Sequence, residues 1–225
     1  MKSSYMAAAV AVGFLILSSA KADVITSLGN TASGLTSGTK YTGATILSAQ
    51  SGQASPFNGA CGSDASSNCS TNWTFTYTLG ADEVVDGATL TLGIFDIDSA
   101  ASGNQVGSFT LTGGDDLTAA LNAVSETLDG GSGSPNSYYD VLSITIPSTS
   151  FAVLDGGSAT FNLTLAGPGL GALGTTTYNG ASLIFSTLDL QTETISSVPE
   201  PAMWYLLLAA IGGIMLFRAR ARKPS

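Results

Sequence analysis

The chain of 225 residues contains no histidine, and its charged residues are unevenly distributed. Between residues 23 and 197 there is one lysine, Lys40, no arginine and 15 acidic residues, which gives this stretch a net charge of −14. The lack of histidine excludes Ser-His-Asp triads, Cys-His dyads and nearly all zinc sites. The lack of cations excludes nucleic acid as a partner, because phosphate groups are neutralised by lysine and arginine.

Cysteine is almost absent as well, since the chain has only Cys61 and Cys69. Both lie in a loop rich in glycine, serine and asparagine, with no lysine or arginine close in sequence to lower the pKa of a thiol. A reactive thiol pair is therefore disfavoured. The short spacing predicts a local disulfide, which is typical of an exported protein.

Long hydrophobic runs are confined to the two ends of the chain. At the N-terminus, Lys2 precedes an apolar run over residues 7–17, and Ala20-Lys21-Ala22 follows it. This order predicts a secretory signal peptide over residues 1–22, cleaved by signal peptidase after Ala22. An uncleaved anchor is the alternative, although 11 apolar residues fall short of the roughly 20 that span a bilayer.

The C-terminal end contains a longer apolar segment. Residues 202–217 are uncharged and mostly apolar, and a basic cluster of Arg218, Arg220, Arg222 and Lys223 follows them. A helix of this length measures about 24 Å, slightly less than the membrane core, which predicts a transmembrane helix with interfacial anchors. The basic cluster is expected to stop transfer and stay cytoplasmic, so the preceding domain lies outside the cytoplasm.

Pro199-Glu200-Pro201 stands directly before this apolar segment and its basic end, in a chain that also begins with a signal peptide. This arrangement resembles the PEP-CTERM sorting signal. The resemblance implies that residues 198–225 are recognised by an exosortase, a membrane transpeptidase-like enzyme that cleaves near the motif. It also implies a Gram-negative host that makes exopolysaccharide or biofilm matrix. A permanent single-span anchor is the alternative.

The middle of the chain has the alternation of β-strands. Apolar residues at every second position, with threonine and glycine between them, predict strands separated by Gly, Asn and Pro turns. The predicted strands are residues 45–47, 73–79, 89–98, 109–111, 138–146, 161–165 and 183–190. Residues 115–128 have helical spacing instead, with Asp115 and Asp116 at the start. The sequence predicts an all-β domain over residues 23–197: a single antiparallel β-sandwich, jelly-roll-like, with one short inserted helix, followed by the C-terminal transmembrane helix.

Two aspartates stand out at the end of one predicted strand. Asp96 and Asp98 share a face with the apolar residues before them, which predicts that they leave the sandwich at its rim, because bare carboxylates are costly in a core. Two rim carboxylates are candidate ligands for Ca²⁺, the only cofactor suggested. Further ligands are Asp64, Asp115, Asp116 and Asp140, if the fold brings them close. The alternative is that these aspartates cap turns.

Three functions remain open. The first is a non-enzymatic protein exported across the inner membrane to the cell envelope, the cell surface or the extracellular matrix, with exosortase, signal peptidase, the membrane and exopolysaccharide as candidate partners. The second is a Ca²⁺-dependent carbohydrate- or polymer-binding module. A glycan-active enzyme is the third, and it is disfavoured because Trp73 is the only tryptophan in residues 23–197 and alternates as a core residue.

Overall fold

The computed structural model describes residues 21–63, 65–97, 105–128, 138–167, 177–195 and 209–211. The strands are β1 (Lys21–Gly29), β2 (Thr39–Lys40), β3 (Cys69–Thr76), β4 (Glu83–Phe95), β5 (Val106–Leu111), β6 (Tyr138–Thr145), β7 (Ser158–Leu165) and β8 (Ser182–Thr194). The helices are α1 (Gly43–Ala49), α2 (Thr118–Leu128) and α3 (Phe151–Leu154), with a 3-10 turn over Ser148–Ser150.

The strands form two antiparallel sheets that pack as a β-sandwich. One sheet has five strands in the order β1-β8-β4-β6-β2, and the other has three in the order β3-β7-β5. From β3 onward, each consecutive strand lies in the opposite sheet from the one before it. The β3–β7 pairing keeps one register over all eight of its residue pairs, whereas β4 pairs with β8 through two register shifts.

The core lies between the sheets and is built by alternation along each strand. The five-stranded sheet contributes aliphatic side chains such as Leu90, Leu92 and Leu188, all at most 1% exposed. Aromatic rings on the three-stranded sheet face them, with Trp73 and Phe161 at the centre. The indole N–H of Trp73 donates a hydrogen bond of 3.1 Å across the core to the Ser186 hydroxyl. The buried donor of the tryptophan therefore has a partner in the opposite sheet.

The predicted inserted helix is confirmed as α2, which closes one side of the sandwich between β5 and β6. Its Leu121 is completely buried in the core. Its Asn122 forms two hydrogen bonds with the backbone of Val106, as acceptor from the amide (2.9 Å) and as donor to the carbonyl (3.1 Å). The side chain therefore satisfies backbone groups at the start of β5 that a further strand would otherwise pair.

The predicted strand at residues 45–47 is wrong, because these residues lie in α1. The helix begins after Thr42, whose hydroxyl accepts a hydrogen bond from the Thr45 amide in an N-cap. Ile46 and Ala49, three residues apart, are buried by α1, whereas Leu47 is 60% exposed. Helix α3 and the 3-10 turn were also not predicted, and neither was β1.

The chain divides into two units, Met1–Thr194 and Ile195–Ser225. In the second unit, the structure describes Ile195 and residues 209–211, and residues 209–211 are helical and exposed. No helix among the described residues is long and apolar enough to cross a membrane. The rest of the transmembrane helix predicted at residues 202–217 lies outside the described residues.

Candidate functional site

The end of β4 is the rim at which the sequence places its candidate metal ligands. Asp96 follows Phe95, the last residue of β4, and adopts a positive φ of 61°. Its amide donates a hydrogen bond of 2.9 Å to the Tyr138 carbonyl, so the backbone turns away from the sheet while still pairing with β6. A positive φ is uncommon for a residue with a side chain, and aspartate tolerates it better than most. Asp98 and Asp64 lie outside the described residues.

A shallow cavity of about 310 Å³ opens beside Asp96. Phe95 and Ser182, a pair in the β4–β8 ladder, form part of its wall, and α1 contributes Ile46 and Leu47. Of the described residues that line the cavity, Asp96 alone bears a charge. The cavity is at the small end of the range for ligand pockets, and its walls are mostly apolar or glycine.

The disulfide closes the loop at this same end of the sandwich. The sulfur atoms of Cys61 and Cys69 are bonded, which confirms the predicted pairing. Cys61 forms an isolated bridge with Ala181, immediately before β8, and Cys69 begins β3 in the other sheet. The bond therefore connects the two sheets where the cavity opens. Asn179 is completely buried beside it, and its carbonyl accepts a hydrogen bond of 2.7 Å from the Cys69 amide.

The remaining candidate ligands hold the fold together locally. Asp115 accepts hydrogen bonds from the hydroxyls of Ser150 and Thr149, which lower the pKa of its carboxyl below the usual range. Asp116 accepts from the hydroxyl and amide of Thr118, the first residue of α2, and its pKa is lowered for that reason. Each carboxylate thus stabilises the segment that leads into α2.

Asp140 is 3% exposed and lies in β6 opposite Ile94. Its carboxylate accepts hydrogen bonds from the Gly38 amide (3.1 Å) and the Ser37 hydroxyl (3.4 Å). It therefore holds the turn before β2 against β6. Among the residues that the structure describes, no three acidic or cysteine side chains come close enough to hold a metal ion. The calcium site at Asp96 and Asp98 stays a prediction.

A second surface was not predicted. The outward side of the three-stranded sheet carries 11 uncharged polar side chains, most of them with hydroxyl groups, and we call it the hydroxyl face. Its members are Ser70, Asn72, Thr74, Thr76, Ser108, Thr110, Thr112, Ser158, Thr160, Asn162 and Thr164. The signal in the sequence was the threonine, serine and asparagine that alternate with the buried aromatic and aliphatic residues of β3 and β7.

The residues of the sorting prediction lie largely outside the described part of the chain. Pro199, Glu200 and Pro201 are not described, and neither are Arg218, Arg220, Arg222 and Lys223. Ala22, the predicted cleavage position, is the second residue of β1. No protein-family model and no curated protein sequence matches this chain.

Proposed function

We propose that the protein is an exported, non-enzymatic protein of the bacterial cell envelope or exopolysaccharide matrix, delivered by an exosortase. The observation that carries the proposal is the C-terminal sequence, in which Pro199-Glu200-Pro201 abuts an apolar segment of 16 residues and a basic end. On this proposal, residues 202–217 form a transmembrane helix before processing. The exosortase separates the domain from that helix.

The disulfide supports export, because such bonds form and persist in oxidising compartments outside the cytoplasm. The course of the two terminal strands supports it as well. β1 and β8 are antiparallel neighbours, and Lys21 at the start of β1 pairs with Glu193 near the end of β8. The chain therefore enters and leaves the sandwich at the same end of one sheet. This arrangement is compatible with a domain held by a membrane segment at each end before processing.

Signal-peptide cleavage after Ala22 is compatible with the fold. It removes Lys21 and Ala22 from β1 and leaves Asp23–Gly29, including the pairs of Val24 with Leu190 and Leu28 with Ser186. We further propose that the sandwich is jelly-roll-like, because its long strands alternate between sheets and α2 lies at the β5 edge, where a jelly roll has one more strand.

The proposal is tested by mass spectrometry of the mature protein from its host. We expect a chain that begins at Asp23 and lacks Arg218, Arg220, Arg222 and Lys223. Replacing Pro199-Glu200-Pro201 by three alanines is expected to leave the basic tail in place. The matched control replaces Ser196 and Ser197 by alanine, beside the motif, and is expected to be processed normally. An intact tail in the unaltered protein refutes exosortase processing and leaves the permanent single-span anchor.

The second candidate function is Ca²⁺-dependent binding of a carbohydrate or polymer at Asp96 and Asp98. The observation in its favour is that Asp96 lines a cavity at one end of the sandwich. Melting with and without millimolar Ca²⁺ tests it, with Asp96→Asn as the variant and Asp82→Asn, at an exposed turn with a positive φ of 63°, as the control. A melting temperature that Ca²⁺ does not raise refutes it.

A further inference from the structure

The hydroxyl face is uncharged, although it belongs to an acidic domain. None of its 11 side chains is charged, although residues 23–197 carry 15 carboxylates. One acidic residue borders the face: Asp116 pairs with Thr110 in an isolated bridge at the β5 edge, and its carboxylate accepts hydrogen bonds from Thr118. The outward side of the five-stranded sheet differs, because Asp189 lies in its middle, opposite Ile25 and Thr89.

The face is also regular. The uninterrupted β3–β7 register sets Asn72 against Asn162, Thr74 against Thr160 and Ser70 against Thr164. Side chains on one face recur about every 6.7 Å along a strand and about 4.8 Å between strands. The result is a repeating grid of hydroxyl and carboxamide groups, each able to donate and to accept a hydrogen bond.

Hydrogen bonds within the face and packing beneath it hold the grid in place. The Thr74 and Thr160 hydroxyls lie 2.8 Å apart, and the Asn162 carboxamide donates to the Thr112 hydroxyl at 2.9 Å. Directly beneath, the rings of Trp73, Phe109 and Phe161 stack on one another with centroids 5.8–6.1 Å apart. A surface that is ordered before binding loses little conformational entropy when a ligand arrives.

The charge and size of the face limit the class of ligand that it can bind. An anionic polymer is repelled by a domain of net charge −14, and a cationic one is drawn to the carboxylates elsewhere. Three strands and four rows cover roughly 300–400 Å². A face of this width matches one extended chain, whereas each partner in a stable protein–protein complex buries roughly 800 Å² of accessible surface. The cavity beside Asp96 and a second cavity beside α1 are lined by other residues.

We propose that the hydroxyl face binds an uncharged polysaccharide chain. Sugar hydroxyls donate and accept hydrogen bonds as the face does, and an extended chain offers them at repeated intervals. Each contact replaces a hydrogen bond to water, so a single domain binds weakly and many displayed copies bind by avidity. The inference deepens the proposed envelope or matrix function. The location at which the face meets a polysaccharide depends on that proposed function, whereas the binding itself does not.

The test uses the full chain, purified and incubated with three insoluble uncharged polysaccharides: cellulose, a β-1,3-glucan and starch granules. We expect the protein to sediment with at least one of them and not with alginate gel, which is anionic. Asn72→Lys with Thr74→Lys is expected to lower the bound fraction about tenfold, as the loss of two hydrogen bonds would. Both side chains are exposed on β3.

The matched control is Ser143→Lys with Thr145→Lys, on β6 in the other sheet. These side chains are also exposed, and Ser143 forms a hydroxyl pair with Thr91 at 2.9 Å, as Thr74 does with Thr160. The control adds the same charge and breaks the same kind of pair, so its binding is expected to stay unchanged. Thermal melting establishes that both variants fold.

Three outcomes overturn the inference. The first is no sedimentation with any of the three polymers, and the second is equal loss in the two double variants. A dimer in sedimentation velocity that Asn72→Lys with Thr74→Lys dissolves is the third, because the face is then an interface between two copies. None of these outcomes bears on the mature C-terminus, so a failure here is distinguishable from a failure of exosortase sorting.

Discussion

The two sheets of the sandwich bury their residues differently. The three-stranded sheet packs aromatic rings on its inner side and presents only the hydroxyl face on its outer side. The five-stranded sheet is aliphatic inside, and at one end of its outer side it carries a second cluster formed by Phe95, Tyr139 and Ile184, covered by Ile46 of α1. One sheet is therefore buried on a single side and the other partly on both.

This difference distinguishes sheet surfaces that other elements of the chain cover from a sheet surface that faces solvent. Where α1 and the turn before β2 cover the five-stranded sheet, strand residues on both sides are buried, as with Ile94 and Phe95. No described element of the chain covers the hydroxyl face, so its composition is not required by packing. Alternation with polar residues suffices for stability there, and it leaves the outward side chains available for binding.

The largest expected effect comes from the aromatic layer of the three-stranded sheet. Phe161 is completely buried and lies 5.8–6.1 Å from the rings of Trp73, Phe75 and Phe109. We expect Phe161→Ala to lower the free energy of unfolding by about 3–5 kcal/mol, through the lost burial and the cavity that remains. Denaturant unfolding with the disulfide intact measures the change.

Leu90→Ala is the counterpart in the aliphatic layer, at a residue that is also completely buried. It removes a smaller side chain and no ring contacts, each of which adds about 0.5–1.5 kcal/mol. We therefore expect it to cost less than Phe161→Ala. A larger loss for Leu90→Ala contradicts the view that the aromatic layer is the more strongly packed half of the core.

A smaller effect tests the second buried side of the five-stranded sheet. Ile46 is 2% exposed in α1, whereas its neighbour Leu47 is 60% exposed. We expect Ile46→Ala to cost about 2–4 kcal/mol and Leu47→Ala to stay within about 0.5 kcal/mol. Thermal and denaturant unfolding of the two variants measure this difference. Equal losses of unfolding free energy in the two variants would contradict the helix and its packing on the five-stranded sheet.

The sequence predicts most of this fold and fails where local signals conflict. Six of the seven predicted strands are confirmed, because alternation such as that around Trp73 is set by burial on one side. The seventh fails at Ile46, because Thr45 and Ile46 have high β-propensity and the helix of seven residues is too short to display its period. β1 was missed because Ile25 points outward, 64% exposed, and interrupts the alternation.

The candidate sites differ in the same way: a site made by residues close in sequence was predicted, and a site made by distant residues was not. The disulfide follows from two cysteines eight residues apart, since no other partner exists for either. The hydroxyl face does not follow from the sequence, although its residues are visible there. Asn72 and Asn162 are 90 positions apart and become neighbours only through the β3–β7 pairing, a long-range choice that local patterns leave open.

The smallest expected effect is a loss of stability at alkaline pH. It compares the two sheets through one buried tyrosine beside each. Burial raises the pKa of Tyr77, after β3, to about 12, and it raises the pKa of Tyr139, in the cluster beneath α1, to about 12 as well. Unfolded tyrosine titrates near 10. Between these values the folded protein keeps protons that the unfolded chain releases, so stability is complete below about pH 10 and falls as the pH rises toward 12.

Absorbance of tyrosinate and melting temperature, both followed from pH 8 to 12, measure this loss. Tyr77→Phe and Tyr139→Phe are each expected to remove one late-titrating group and to flatten the fall in melting temperature. Tyr77→Phe also removes the hydrogen bond of 2.6 Å to the Leu154 carbonyl, which should cost about 1 kcal/mol at pH 7. If Tyr139 titrates at pH 10 while Tyr77 does not, the cover over the five-stranded sheet opens more readily than the core, and the two sheets are less different than their packing indicates.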